Sequence, residues 1–257
     1  GSKLVPNLVG RNGVVRMNND GYNELVSKIT NMTDKVSQNM FPETYSQILE
    51  SSLEQTEYLG KMLDNAQLDT TNWADDTISL QMNQVAKIMK MRSELGNERD
   101  VFMLKLGGWD THSDLKEDFN EQLTKINDAL SKFHEEIKTK QGLWDNVTIV
   151  SISDFGRTLT SNGKGTDHAW GGNYFIAGGG VKGKNIFGKY PEELGANSDL
   201  NLGRGRILPT TSWEAMWNSI AQWFGVVDSE MDTVLPNKKN FPSSDIFDKN
   251  DLFEGWA

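Results

Sequence analysis

The chain has 257 residues, with 26 basic and 36 acidic side chains, and its formal net charge is -10 at pH 7. Because this excess of negative charge repels a phosphate backbone and no basic cluster interrupts it, we expect no nucleic-acid partner. Cysteine is absent, which excludes disulfides, thiolate metal sites and cysteine nucleophiles. No apolar stretch reaches the roughly 18 residues that a bilayer span needs, so we expect no membrane span in this chain. The sequence leaves the oligomeric state open.

Apolar residues recur every three or four positions through most of the first hundred residues, a period that is typical of helices. We predict one helix after Asp20, with its apolar face over residues 22–36, a second near Glu43 to Asn65 and a third near Ala74 to Leu95. Together they predict a helical N-terminal region over residues 3–97 that packs on the rest of the chain.

The hydrophobic pattern changes after residue 100. Two short, nearly continuous apolar runs, "VFMLKLGG" (Val101–Gly108) and "VTIVSIS" (Val147–Ser153), are typical of strands that are covered on both faces. Apolar residues at helical spacing lie between them, from Leu115 to Ile137. Because a strand, a helix and a second strand form a right-handed crossover, we predict two parallel strands in one sheet.

Residues 98–257 are therefore predicted to form an α/β domain with a parallel-sheet core flanked by helices. A further strand is expected within "NYFIAGGG" (Asn173–Gly180). A terminal helix is predicted in "TTSWEAMWNSIAQWFG", with Thr211 and Glu214 as a capping box and Gly225 beyond its end.

Acidic residues and histidines follow both predicted core strands. Asp110 and His112 follow the first strand, and Asp154, Asp167 and His168 follow the second. Because the carboxyl ends of parallel strands meet at one edge of a sheet, we expect these five side chains to converge on a single crevice as metal ligands. Carboxylates and imidazoles together suit Zn²⁺, Mn²⁺ or Fe²⁺ better than Ca²⁺ or Mg²⁺.

Each of these residues also has an interpretation that involves no ligand. Asp110 and Asp154 are equally typical of turn formers or helix caps, and either histidine alone is compatible with ordinary hydrogen bonding. Arg157 lies in the second loop, where it is either a clamp for an anionic substrate group or a structural salt-bridge partner.

Four motifs in this order resemble an uncharacterised exported sulfatase-like family that is related to the alkaline phosphatase superfamily. They are "LGGWDTHSD", "SDFGRTLTSNGKGTDHAWGG", "GGGVKGKNIFGKYP" and "GRGRILPTTS…WFGV", and the resemblance covers about residues 85 to 242. It implies an alkaline phosphatase-like parallel sheet, a periplasmic or extracellular setting, and metal ions held by aspartates and histidines. By motif, Asp110 and His112 look like one ligand pair, Asp154 like the aspartate after the later strand, and His168 like the late histidine.

The chain departs from the pattern in three respects. Phe155 stands where the superfamily commonly has a histidine after the late aspartate, and the uncharacterised family usually shows glutamate in place of Asp154 and glycine in place of Ala169. We find no counterpart before Tyr22 of the early segment that carries the nucleophile and the first metal aspartate in full members, and we expect this segment to be missing. Thr111, Thr158 and Thr166 lie in the motif loops, but no sequence feature selects one of them as a nucleophile.

The resemblance implies metal-dependent hydrolysis or transfer at phosphate or sulfate esters, with Arg157 binding the anionic group of the substrate. The alternative is a non-catalytic metal-binding or structural interaction module of the same fold, which the absent early segment favours.

Overall fold

The computed structural model describes residues 9–14, 24, 27, 28, 31 and 40–255, with residues 40–50 described by their backbone alone. The helix predicted after Asp20 lies outside the described residues except at four single positions. The chain divides into two compact units. The first holds the described residues up to Leu106 together with Thr124–Gln141, and the second holds Gly107–Leu123 and the residues from Gly142 onward. The predicted boundary between residues 97 and 98 stays a prediction.

Within the described residues up to Leu106, the first unit contains a short antiparallel hairpin followed by helices. These elements include β1 (Val9–Gly10), β2 (Gly13–Val14), α1 (Met40–Asn65), α2 (Thr77–Lys90) and α3 (Arg92–Leu95). The second and third predicted helices are thereby confirmed. The third begins later than predicted because the Asp76 side chain is its cap and accepts hydrogen bonds from the backbone N–H groups of Ile78 and Ser79, each at 3.0 Å.

One apolar cluster in the core of the first unit lies between its helices. Four buried residues form its centre, and six partly buried residues pack against them: Leu59, Leu63, Ile88 and Met91, surrounded by Val9, Val14, Met62, Ala66, Leu95 and Phe102. The recurrence of these residues at helical spacing explains why the sequence pattern predicts the helices.

The long helix α4 (Leu115–His134) contributes residues to both units and continues into a π-helical turn, Glu135–Lys140. Glu136 is fully buried in that turn. Its carboxylate accepts hydrogen bonds from the Thr70 backbone N–H at 2.8 Å and from Nε2 of Gln141 at 3.0 Å. The buried Glu136 side chain thus connects the loop before α2 to the end of the helical segment.

The predicted strand at Val101–Leu106 is wrong. Val101 and Met103 are 81% and 86% exposed, whereas Phe102 packs against the apolar cluster, so the apolar run has an outward and an inward face. The segment has no assigned strand pairing. Instead, the side-chain amide of Gln81 accepts from the Lys105 N–H at 2.8 Å and donates to the Lys105 carbonyl at 2.9 Å, where a neighbouring strand would bind.

The second unit contains two short antiparallel sheets. They are formed by β3 (Thr148–Val150), β4 (Gly156–Ser161), β5 (Thr166–Ala169) and β6 (Ile176–Gly178), with β3 paired to β6 and β4 paired to β5. In the described part of the chain no two strands are parallel, so the predicted parallel, alkaline phosphatase-like sheet core is wrong. The strands expected at residues 147–153 and 173–180 exist only as three-residue segments that run in opposite directions.

Helices α5 (Trp213–Phe224), α6 (Asp228–Val234) and α7 (Lys249–Leu252) complete the second unit. The cap of α5 is Ser212, whose hydroxyl accepts from the Ala215 N–H, and not the predicted Thr211. The residues after α5 pack as part of the unit, since Met231 and Leu252 are fully buried. A search of the described helices finds none with both the length and the apolarity that crossing a membrane requires.

Candidate metal centre

The strands β4 and β5 form a hairpin that presents one candidate ligand directly. In its register Gly156 pairs with Ala169 and Arg157 pairs with His168. The turn between the strands is closed by Asn162, whose Oδ1 accepts from the N–H groups of Lys164 and Gly165 at 3.2 and 2.8 Å. The segment predicted as a loop is therefore a β-hairpin with His168 on its second strand.

Arg157 connects this hairpin to the segment that contains the other candidate ligands. Its guanidinium donates to the backbone carbonyl of Trp109 and, at 2.9 Å, to that of Thr166. It also lies 3.4 Å from the Asp110 carboxylate and from the Thr111 hydroxyl. One planar side chain with several donors thus fixes residues 109–111 against the hairpin.

Gly165 allows the two backbones to approach each other. A Cβ atom at this position would lie 2.6 Å from the Thr111 carbonyl oxygen and 2.6 Å from the His112 carbonyl carbon. Because any side chain would collide with these backbone atoms, glycine is required where the turn meets the segment before α4.

Asp110, His112 and His168 meet at this junction. Oδ1 of Asp110 lies 2.6 Å from Nε2 of His168 and 2.9 Å from Nε2 of His112. One potential ligand atom from each residue lies within 4.8 Å of the other two. All three side chains remain at least half exposed, so the group is open to solvent.

An aromatic ring orients one of these histidines. The Phe155 ring stacks on the His168 imidazole with a centroid distance of 4.2 Å and an interplanar angle of 8°. The His112 and His168 rings are 5.5 Å apart and tilted by 26°. The Phe155 ring therefore restricts the orientation of His168 by packing.

The surroundings of Asp110 favour its charged form. The hydrogen bond to His168 is the largest cause that lowers the pKa of the Asp110 carboxyl below its ordinary value. Loss of hydration opposes this effect, and electrostatic interactions with His112, His168 and Arg157 reinforce it. An ionised carboxylate is the form that binds a metal ion.

Asp167 lies beside His112 but outside the three-residue group. Its Oδ1 atom is 3.6 Å from Nδ1 of His112 and accepts a hydrogen bond from Nδ2 of Asn162 at 3.3 Å. Its Oδ2 atom forms an ion pair with Arg204. The Asn162 hydrogen bond is the first cause that lowers the pKa of Asp167; loss of hydration opposes it, and the contacts with Arg204 and His112 add to it.

Comparison with known proteins places the chain in a family. A family model described as "Protein of unknown function (DUF1501)" matches residues 12–216, which is most of the chain. The chain belongs to the DUF1501 family. No curated protein and no solved structure matches it significantly. The description of the DUF1501 family names no activity, so the resemblance to sulfatase-like proteins stays a prediction.

Asp154, the remaining predicted ligand of this DUF1501 member, lies outside the group of Asp110, His112 and His168. It is exposed, and its charge acts on Tyr174, whose pKa is raised first by burial and then by Asp154. The Tyr174 ring packs on Trp213 at 4.7 Å. The structure thus brings Asp110, His112 and His168 together, with Asp167 next to His112, and their role as ligands stays a prediction.

Four residues that shape the centre of the DUF1501 chain had no role in the site predicted from the sequence. They are Trp109, Phe155, Asn162 and Arg204. One available signal was the Asn162-Gly163 pair inside "TSNGKGT", because an Asn-Gly dipeptide between two β-type segments is a strong hairpin signal. Nothing in the sequence connects Arg204 with Asp167, which lies 37 positions earlier.

Proposed function

We propose that this DUF1501 chain binds a divalent transition metal through Asp110, His112 and His168 and uses it to hydrolyse or transfer a phosphate or sulfate ester. The observation that supports this proposal most is the convergence of three ligand atoms within 4.8 Å. One carboxylate and two imidazoles suit Zn²⁺, Mn²⁺ or Fe²⁺ better than Ca²⁺ or Mg²⁺. The donor set therefore fits the proposed ion.

The exposure of the group favours a reactive metal over a structural one. Structural zinc sites have four protein ligands, whereas catalytic sites have three and leave a position for water or substrate. The side chains of Asp110, His112 and His168 are 57%, 53% and 50% exposed, so an anionic substrate has access from solvent. A bound ion would stabilise negative charge on the ester and activate water.

The ester substrate rests on the resemblance to sulfatase-like proteins, and so does a periplasmic or extracellular setting. Arg157 is the proposed cation for the anionic group of the substrate. Its Nη2 atom lies 3.4 Å from Oδ1 of Asp110, which places a positive charge beside the proposed metal. Its hydrogen bonds to backbone carbonyls hold this charge in a fixed position.

A second candidate function is a non-catalytic metal-binding module. The three threonines of the motif segments favour this second candidate, because none of their hydroxyl groups is placed to act as a nucleophile. The Thr111 hydroxyl lies 3.4 Å from the Arg157 guanidinium, the Thr158 hydroxyl donates to the Thr160 carbonyl at 2.9 Å, and the Thr166 side chain is buried. Such a module would bind metal and leave esters unchanged.

The test is hydrolysis of p-nitrophenyl phosphate and p-nitrophenyl sulfate by protein purified without chelator, with added Zn²⁺, Mn²⁺ or Fe²⁺ and with excess EDTA. We expect the protein to hydrolyse an ester and excess EDTA to abolish this activity. His168→Ala should lower the rate by roughly 10-fold or more, whereas His134→Ala should leave it unchanged. Metal binding without turnover of either ester would support the second candidate. Absence of both metal binding and turnover would overturn both candidates.

A further inference from the structure

His112 lies between two carboxylates. Its Nε2 atom is 2.9 Å from Oδ1 of Asp110, and its Nδ1 atom is 3.6 Å from Oδ1 of Asp167. If Nε2 binds a metal, the proton of the neutral ring must be on Nδ1, which faces Asp167. A histidine that binds a metal commonly donates its other N–H to a carboxylate, and this bond fixes its tautomer and orientation.

The oxygens of Asp167 are already engaged by other side chains. Oδ2 forms the ion pair with Arg204, and Oδ1 accepts from Asn162. The Asp167 backbone N–H donates to the Thr158 hydroxyl at 3.1 Å. Its side chain is 32% exposed, compared with 57% for Asp110. These contacts hold the Asp167 carboxylate beside His112. The Asp167 side chain therefore has little freedom to turn toward a metal ion that Asp110 also binds.

We propose that Asp167 is a positioning residue for His112, held in place by Arg204 and Asn162, and that it is not itself a metal ligand. This inference rests on the proposed metal centre. It changes the role of Asp167 from a predicted ligand to a residue that acts through His112.

The "GRGR" motif at residues 203–206 supports Asp167 in this role. The motif forms a turn along β4, in which the Leu159 N–H donates to the Gly205 carbonyl at 3.0 Å. Arg204 has a φ of 58°, in the left-handed region that few residues with side chains adopt. The turn presents the Arg204 guanidinium to Asp167, so the motif stabilises the centre from outside it.

The test compares Zn²⁺ affinity by titration calorimetry for the wild type, D167A, D167N and R204Q, with the exposed Asp232→Ala as control. We expect D167A to lower affinity by about 10- to 100-fold. D167N retains an acceptor oxygen and should lose less. R204Q should also lower the Zn²⁺ affinity, because Asp167 is then held less firmly beside His112. If Asp167 were instead a metal ligand, R204Q would free its carboxylate for the metal and binding would be tighter.

A second measurement reports on His112 itself. In the ¹⁵N spectrum of the Zn²⁺-loaded wild type, the His112 ring should be protonated on Nδ1 and slow to exchange, and D167A should abolish this slow exchange without changing the His168 signals. If the wild type binds none of Zn²⁺, Mn²⁺ and Fe²⁺, the proposed function is overturned and this inference with it; if it binds one of the other two ions, the affinity comparison is made with that ion. If the wild type binds and D167A matches D232A, or if R204Q binds more tightly, only this inference is overturned. Should D167A fail to fold, D167N and R204Q decide.

Discussion

Nε2 of His168 lies 2.6 Å from Oδ1 of Asp110, although 58 positions separate the two residues along the chain. Two features of the second unit produce this contact. The β4–β5 hairpin places His168 opposite Arg157, and the Arg157 guanidinium binds the backbone carbonyl of Trp109 next to Asp110. The candidate centre therefore depends on residues that hold its ligands as much as on the ligands.

Arg157→Lys should weaken both folding and metal binding. A lysine ammonium cannot reproduce the planar set of donors that binds the Trp109 and Thr166 carbonyls together. Losing these two hydrogen bonds should lower the free energy of unfolding by about 1 to 3 kcal/mol, measured by urea denaturation. Zn²⁺ affinity should fall in parallel because residues 109–111 are no longer fixed.

The same variant separates two roles of Arg157. If the residue serves only as a clamp for the anionic group of the substrate, R157K should raise the KM for ester hydrolysis and leave Zn²⁺ affinity and stability at their wild-type values. That combination would contradict the supporting role described here.

Gly165→Ala should displace the turn from the segment before α4. The new methyl group would lie 2.6 Å from the Thr111 carbonyl oxygen, and such overpacking commonly costs about 1 to 3 kcal/mol. We also expect weaker Zn²⁺ binding, since His112 is attached to the displaced backbone. Gly107→Ala is the matched control, because its methyl group would meet no atom within 4 Å. Equal thermal stability of the two variants would show that the close approach is not required.

The contribution of Asp110 to stability should depend on pH. Its pKa is lowered in the folded protein, first by the hydrogen bond to His168, so its ionised form stabilises the fold. This stabilisation is complete above the ordinary carboxyl pKa of about 3.9 and is lost as the pH falls through the lower folded-state value. Urea denaturation between pH 6 and 2 should show wild type and D110N converging at the acid end. If the stabilities of wild type and D110N differed by the same amount at every pH in this range, the stabilising role of the ionised Asp110 would be refuted.

Glu136→Ala should strongly destabilise the first unit. The substitution leaves the Thr70 N–H and the Gln141 amide without the Glu136 side chain as acceptor, and leaving a buried donor unsatisfied costs roughly 1 to 3 kcal/mol. Glu135→Ala is the neighbouring control, because its contact with Lys132 is an exposed ion pair at 3.6 Å, a type worth about 0 to 1 kcal/mol. Chemical denaturation compares the two variants; similar losses would contradict the role of Glu136.

The helices could be predicted from the sequence because their apolar residues repeat with the helical period over three or more turns. The apolar stripe that begins at Leu115 predicts α4, and the observed helix covers Leu115–His134. The segment at Val101–Leu106 could not be predicted in the same way. Its apolar residues suggest burial on both faces, yet Val101 and Met103 are exposed, and composition does not reveal which apolar residues are covered.

The candidate centre was predicted from a strand arrangement that is wrong. Sequence reasoning placed Asp110, His112 and His168 together at the ends of parallel strands, whereas an antiparallel hairpin and the Arg157 guanidinium bring them together. Asp154 was included because it directly follows an apolar run, but it lies at an exposed bend between β3 and β4 and outside the group of Asp110, His112 and His168. The long-range contact between Arg204 and Asp167 depends on folded geometry alone.

We expect Asp110, His112 and His168 to bind one metal ion together. Crystals of the Zn²⁺-loaded protein, measured on both sides of the zinc absorption edge, show whether they do. We predict a single strong anomalous peak about 2.0 to 2.2 Å from a carboxylate oxygen of Asp110 and from one ring nitrogen of each histidine, and its loss in crystals of His168→Ala. An anomalous peak held by other residues, or no peak at a Zn²⁺ concentration that saturates the protein, would contradict the claim.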